Sequence, residues 1–111
     1  MIEIVLLNYL GTCLGIPVYM EIPADRDEKF VILKRAGSAK ENGLLSATFA
    51  LSSYAPSLYE AAQLNEEVKA AMEESVDLNE VSACSLSTDY IFTDTNSKQY
   101  CYQAVFTMTH Y

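Results

Sequence analysis

The sequence is poor in the residues on which many catalytic and binding sites depend. Its 111 residues include one histidine, three cysteines and four glycines. The histidine, His110, lies next to the last residue, so nucleophilic catalysis that needs a histidine is not expected. The glycines at positions 11, 15, 37 and 43 are too far apart to form a loop that binds phosphate groups. These absences argue against histidine-dependent hydrolysis and against nucleotide binding.

The cysteines and the apolar runs also predict no site. Cys13, Cys84 and Cys101 are odd in number and far apart, which fits neither a disulfide framework nor the paired spacing of a zinc site. We therefore expect reduced thiols packed in the core of an intracellular protein. The opening run MIEIVLLNYLGTCLG has no Lys or Arg before it. It is shorter than the roughly 20 residues that cross a bilayer, so we interpret it as a buried helix and expect no membrane contact.

Carboxylates are plentiful, but their spacing does not suit a reaction. The glutamate pairs at 66–67 and 73–74 are neighbours in a predicted helix, where successive side chains point roughly 100° apart. Asp89 and Asp94 are separated by residues typical of a strand, without the spacing of a calcium loop. The sequence therefore predicts no catalytic residue, no cofactor and no metal, and a protein that is not an enzyme.

Acidic residues are abundant and are separated from the basic ones along the chain. The 15 acids and 7 bases give a formal net charge of −8, which argues against direct nucleic-acid binding because phosphate contacts need clustered Lys and Arg. Five of the seven basic residues lie between positions 26 and 40, whereas residues 60–80 hold seven acids and one lysine. Such asymmetry is usually a solvated surface, but it can also mark complementary edges that meet between copies.

The hydrophobic pattern predicts one domain over residues 1–111. Residues 2–14 have the period of a helix, with Gly15 available to end it, although IEIVLL also fits a strand. IPVYMEIP predicts a short strand and EKFVILKR a strand buried on both faces. AGSAKENG predicts a loop, and LLSATFALSSY a strand with one apolar face.

The second half of the chain predicts a capped helix and a hairpin. Ser57 and Glu60 have the spacing of a capping box after Pro56, so the helix should begin near Leu58 with its glutamates on the solvent side. Residues 81–93 and 99–109 predict two strands joined at DTNSK. The expected fold is α+β, in the chain order α-β-β-β-α-β-β, with a mostly antiparallel five-stranded sheet and two helices packed on one face.

Three runs of sequence resemble a known family: EIPADRDEKFVILKRAGS, ATFALSSYAPSLYEAAQLNEEVKAAM and DYIFTDTNSKQYCYQAVFTMTHY. They are similar to the tail-terminator or tail-completion proteins of phages and prophages of low-GC Gram-positive bacteria. The resemblance covers residues 17–111 and consists of sheet, cap and helix patterns without a catalytic signature. It implies a virion assembly protein that forms a homo-oligomeric ring, commonly a hexamer, at the end of the tail tube.

The resemblance also implies partners and a location. The ring would contact the tail tube protein and the proteins of the head neck, in the tail or neck of a virion assembled in the bacterial cytoplasm. The alternative hypothesis is a small acidic phage protein that binds a host or phage protein as a regulatory or DNA-mimic module. Against mimicry, seven of the 15 acids lie in the one segment 60–80, while five of the basic residues occupy positions 26–40.

The charge asymmetry suggests how copies would meet. A closed ring joins one patch to a different patch on the next copy, so we expect the basic segment to contact the acidic side of the helix. Tyrosine is common at protein contacts. The candidate interface residues are Arg26, Lys29, Lys34, Arg35, Lys40, Tyr59, Glu66, Glu67 and Glu73.

Overall fold

Two helices and five strands are present in a computed structural model of the chain, which describes residues 2–21, 28–41, 44–91 and 100–110. Neither helix of these described residues has the length and apolar content that a membrane span requires. In chain order the elements are α1 (Ile2–Leu14), β1 (Val18–Tyr19), β2 (Phe30–Glu41), β3 (Leu44–Ala55), α2 (Leu58–Glu73), a 3₁₀ turn (Glu74–Asp77), β4 (Val81–Ile91) and β5 (Tyr100–His110).

The five strands form one sheet in the order β1-β2-β3-β5-β4. The α+β class, the five strands and the two helices are confirmed. The expectation of a mostly antiparallel sheet is corrected to a mixed sheet, because β1 runs parallel to β2 while the other three neighbouring pairs are antiparallel. The order in the sheet also differs from the chain order, since β5 lies between β3 and β4. Alternating side chains identify a strand, but they give neither its direction nor its neighbours.

The end of α1 and the start of α2 lie where local sequence signals place them. Gly15 adopts a φ of +67°, the left-handed conformation that favours glycine after a helix, and its N–H donates to the carbonyl of Gly11 at 3.2 Å. The Ser57 Oγ accepts a hydrogen bond from the N–H of Glu60 at 3.2 Å, and the Ser57 hydroxyl donates to Oε2 of Glu60 at 3.1 Å. The predicted start of α2 at Leu58 is confirmed.

The main core lies between the two helices and one face of the sheet. Leu6 and Leu10 of α1 are fully buried in the same cluster as Phe49 and Phe106 of the sheet. The Tyr9 hydroxyl donates a 2.7 Å hydrogen bond to the carbonyl of Ala71, which ties α1 to α2. From α2 the cluster takes its aliphatic arc, Leu64, Val68, Ala71 and Met72.

Strand β2 is buried on both faces at its start, as its apolar pattern predicts. Phe30 and Ile32 are buried on the helix-free face, and Val31 and Leu33 on the face under the helices. Phe30 stacks on Tyr54 with ring centroids 4.7 Å apart. Aromatic stacking therefore forms a small second cluster on the helix-free face of the sheet.

The prediction of a loop at AGSAKENG is wrong for residues 36–41, which belong to strand β2. Strand β2 continues to Glu41 and pairs with β3 up to Leu44, with a shift in register between Arg35 and Gly37. Backbone pairing with β3 supplies the hydrogen bonds that keep this polar stretch extended, so it needs no apolar side chains. The expected turn at DTNSK lies outside the described residues, but β4 and β5 are antiparallel neighbours.

The three thiols differ in their surroundings. Cys13 is exposed, Cys84 is half-buried and Cys101 is buried, and none of the three forms a disulfide. The expectation of cysteines packed in the core therefore holds for buried Cys101, holds in part for Cys84, which packs against the main core cluster, and is wrong for exposed Cys13. Cys13 lies on the exposed side of α1, because the buried positions of that helix are Ile2, Glu3, Leu6 and Leu10.

Candidate subunit interface

The basic segment divides into residues that pair within the chain and residues that do not. Lys29 Nζ lies 3.7 Å from Oε1 of Glu60, and Arg35 Nη2 lies 3.0 Å from Oε2 of Glu3. Arg26 lies outside the described residues.

The two remaining candidates in that segment, Lys34 and Lys40, are exposed and form no ion pair with the described part of the chain. The expected basic patch is therefore narrower than the sequence suggested. Among the described residues of the segment, the positive charge that is not paired within the chain comes from these two lysines.

Both lysines lie on a strand with an open edge. Strand β1 pairs with β2 only at Val31 and Ile32, and β3 covers the opposite side of β2. Beyond Ile32, no strand of the described residues covers the outer edge of β2. Unpaired N–H and C=O groups on an edge strand can bond to another chain.

The acidic residues of α2 do not form one patch. Glu66 Oε1 lies 2.8 Å from Nζ of Lys69, on the side of the helix that faces β4. Glu67 lies on the other side, beside a cleft that Cys13 and Leu14 of α1 also line. Glu73 is exposed at the last residue of α2. The structure therefore separates the three glutamates that the sequence grouped together.

A charged network joins α2 to β4. Lys69 Nζ donates to Oδ2 of Asp89 at 2.9 Å, and Asn65 Nδ2 donates to the same oxygen at 3.0 Å. The hydrogen bond from Lys69, with that from Asn65, holds the pKa of the Asp89 carboxyl below its usual range despite partial desolvation. The hydrogen bonds to Glu66 and Asp89 raise the pKa of the Lys69 ammonium. Two carboxylates around one ammonium leave this network with a formal charge of −1.

Sequence reasoning missed Asn65, Lys69 and Asp89 as members of the candidate site. One signal was present, because Asn65 interrupts the apolar arc of the helix and is only 2% exposed. A buried polar side chain in an apolar arc needs a hydrogen-bonding partner from another element. Its partner, Asp89, is 24 residues away, and only the packing of α2 against β4 brings them together.

Tyr59 is the second residue of α2, and its side chain is 76% exposed. It lines a small cleft between α2 and β4 together with Glu66 and Asp89. Of the predicted residues on α2, the structure thus brings Tyr59 and Glu66 together and leaves Glu67 and Glu73 elsewhere.

The open edge of β2 and the cleft beside β4 lie toward opposite edges of the sheet, because β3 and β5 separate the two strands. At the usual spacing of neighbouring strands, the strand axes are roughly 14 Å apart. Pairing through Ala50 and Val105 places Lys34 level with Thr88, the residue before Asp89. Lys34 and the network around Asp89 therefore lie at similar heights along the strands.

A scan against protein-family models and a search of curated protein sequences found no match to this chain. The family resemblance therefore rests on the three sequence runs alone. Within the described residues, no group of three or more His, Cys, Asp or Glu side chains is arranged to hold a metal ion.

Proposed function

We propose that this chain is a phage virion assembly protein that forms a head-to-tail ring, as a tail terminator or tail-completion component. In this role it caps the tail tube, stops its growth and joins it to the head neck. The proposal draws its family from the resemblance of residues 17–111 and its mode of assembly from the charges on the folded chain.

The observation that carries the mode of assembly is the placement of unlike patches at opposite edges of the sheet. The open edge of β2 bears Lys34 and Lys40, and the network of Glu66, Lys69 and Asp89 lies where α2 packs against β4, the strand at the far edge. A head-to-tail interface needs two different patches, one offered to each neighbour, and it closes into a ring when the rotation between copies allows.

Net charge strengthens the case for a contact between opposite charges. Copies with a formal charge of −8 repel one another at long range, so self-association needs a local attraction. Lys34 and Lys40 can supply it, because neither is paired with an acid in the described part of its own chain.

A ring that caps a tube works by shape and by contact, and it needs no turnover. We accordingly propose a structural protein, without catalytic residues or a cofactor. Its two ring faces would contact the tail tube and the neck, while the patches at the sheet edges would contact neighbouring copies.

The test is to mix the purified protein with purified phage tail tubes and to examine the particles by negative-stain microscopy. The proposal predicts rings at one end of the tubes, and control tubes incubated without the protein should have bare ends. Tubes without bound protein, together with a monomer that captures a host or phage protein, would favour the partner-binding module instead. Including the tubes is essential, because a ring can close on the tail tip alone.

A further inference from the structure

The cleft between α2 and β4 combines aromatic walls with acidic and amide groups. It has a volume of about 240 Å³, and its lining includes Tyr59, Tyr102, Asn65, Glu66 and Asp89. Because the surrounding network has a formal charge of −1, the cleft favours a cation over an anion. The aromatic rings can also contact the aliphatic stem of a lysine or the face of a cationic group.

Asn65 gives an independent indication that the cleft lacks a donor. The residue is 98% buried, its Nδ2 donates a hydrogen bond to Asp89, and its Oδ1 is buried with no hydrogen-bond partner among the described residues. An unsatisfied buried acceptor costs about 1–3 kcal/mol. In addition, both hydrogen bonds to Asp89 from Asn65 and Lys69 reach the same oxygen, Oδ2. The site is therefore rich in acceptors and short of donors.

We infer that this cleft receives the ammonium group of Lys34 from a second copy of the chain. The inference rests on the proposed ring and names its contact. An ammonium brings three donors and one positive charge, which match the acceptors and the charge of the cleft. Lys34 is the suitable donor because it is exposed, unpaired with the described acids, and level with the residue before Asp89.

The directions of the side chains set how the copies meet. Lys34 lines a hollow on the helix-free face with Ile32 and Ser52, whereas the cleft opens beside α2 on the other face. The two sheets consequently meet at an angle and do not continue as one sheet. A turn between successive subunits is what a closed ring requires.

Other basic residues fit the cleft less well. Arg35 is bound to Glu3 of its own chain, and Lys29 is near Glu60. Lys40 is in register with Leu45 and His110, at the opposite end of the sheet from Asp89. A lysine on an edge strand can also serve only to discourage strand pairing, so the test must separate this role from a specific contact.

A charge reversal on each side of the contact provides that test. Glu66→Lys and Lys34→Glu are both exposed changes, and each places like charges together when the variant associates with itself. We expect the dissociation constant for self-association of each variant alone to rise about tenfold or more, as measured by sedimentation with tail tubes and in free solution. Glu67→Lys is the matched control, because it makes the same change on the side of α2 that faces α1.

Mixing the two variants in equal amounts should restore association. In the mixture the native Lys34 of one variant meets the native Glu66 of the other, and the two reversed groups also attract each other. A lysine that only discourages strand pairing would show no such restoration. Circular dichroism of each variant must match that of the wild type, and Tyr59→Ala, which removes an exposed aromatic wall, provides a second variant that weakens association.

The outcomes separate this contact from the ring itself. Wild-type rings that persist in both reversed variants would overturn the contact and leave the ring intact. Open dimers that both variants disrupt and the mixture restores would support the contact and overturn the ring. A wild-type chain that stays monomeric in solution and on tubes would overturn both, and so would a monomer whose cleft binds another protein.

Discussion

Lys69 on α2 and Asp89 on β4 form an ion pair in which Nζ lies 2.9 Å from Oδ2. Their side chains are 18% and 30% exposed, so solvent screens the pair less than it screens an open surface pair. Asn65 donates a second hydrogen bond to the carboxylate. The pair links α2 to β4, an edge strand whose other side chains are mostly exposed.

Replacing Asp89 should change how stability depends on pH. Its pKa is lowered in the folded chain, chiefly by the hydrogen bond from Lys69. The stabilisation is therefore complete above the unfolded value, about 3.9, and is lost as the pH falls through the lower folded value. We expect Asp89→Asn to lower the free energy of unfolding by about 1 kcal/mol at neutral pH. On acidification, the variant should lose less stability than the wild type does.

Urea unfolding between neutral pH and about pH 2 checks this expectation, since the loss is spread over that acid range. Asp77→Asn, an exposed change in the 3₁₀ turn, is the control and should follow the wild type. Parallel pH curves for the wild type and Asp89→Asn would contradict the stabilising role of the pair.

Removing Arg35 should destabilise the fold more than removing its neighbour Lys34. The Glu3 side chain is 8% exposed, and Arg35 is its cation at 3.0 Å. Arg35→Ala leaves a buried carboxylate without its partner, which we expect to cost about 2 kcal/mol. Lys34→Ala should cost less than about 0.5 kcal/mol, because surface changes usually do.

The double variant Glu3→Gln with Arg35→Ala distinguishes loss of the charge pair from loss of packing. It should recover part of the stability of Arg35→Ala, since no charge remains buried. The free energy of unfolding of all the variants is measured in urea. Equal costs for Arg35→Ala and Lys34→Ala would show that the pair is not important for stability.

The cap at the start of α2 can be tested at one residue. Ser57→Ala removes the oxygen that accepts from the N–H of Glu60, and we expect a loss of about 1 kcal/mol of unfolding free energy. Ser57→Thr keeps a hydroxyl and should stay close to the wild type. Thermal unfolding followed by circular dichroism gives the comparison, and an unchanged Ser57→Ala would mean that the cap is dispensable.

Alkylation should discriminate between the thiols. Only the thiolate reacts, and burial raises the pKa of the Cys101 thiol to about 11, with a smaller upward shift at Cys84 for the same reason. We expect iodoacetamide at mildly alkaline pH to modify exposed Cys13 first and Cys101 only after unfolding. Peptide mass spectrometry with and without urea measures this order, and equal native rates at Cys13 and Cys101 would contradict the fold.

The elements that sequence predicted best are those with a local physical signal. Ser57 and Glu60 make the cap whose spacing they predict, and Gly15 has the positive φ that ends α1. The run from Phe30 to Leu33 is buried on both faces, as two alternating apolar sets require. In each case the neighbouring residues alone determine the outcome.

The features that sequence missed depend on distant parts of the chain. Strand β2 extends through polar residues because β3 lies beside it, and β5 is an interior strand because its apolar positions, such as Phe106 and Met108, fill the core. The candidate site follows the same rule. The order of charges along the chain predicted one basic and one acidic patch. In the structure, however, Arg35 forms an ion pair with Glu3, and Lys69 neutralises the charge of Glu66 on the helix.

Sedimentation velocity of the wild-type chain over a concentration series, alone and with tail tubes, tests the ring most directly. The ring predicts one closed species whose mass is a fixed multiple of 12.3 kDa, seen by negative stain as a ring with a central hole. Only the 12.3 kDa monomer under both conditions, or a ladder of open chains that grows with concentration, would contradict a ring-forming protein.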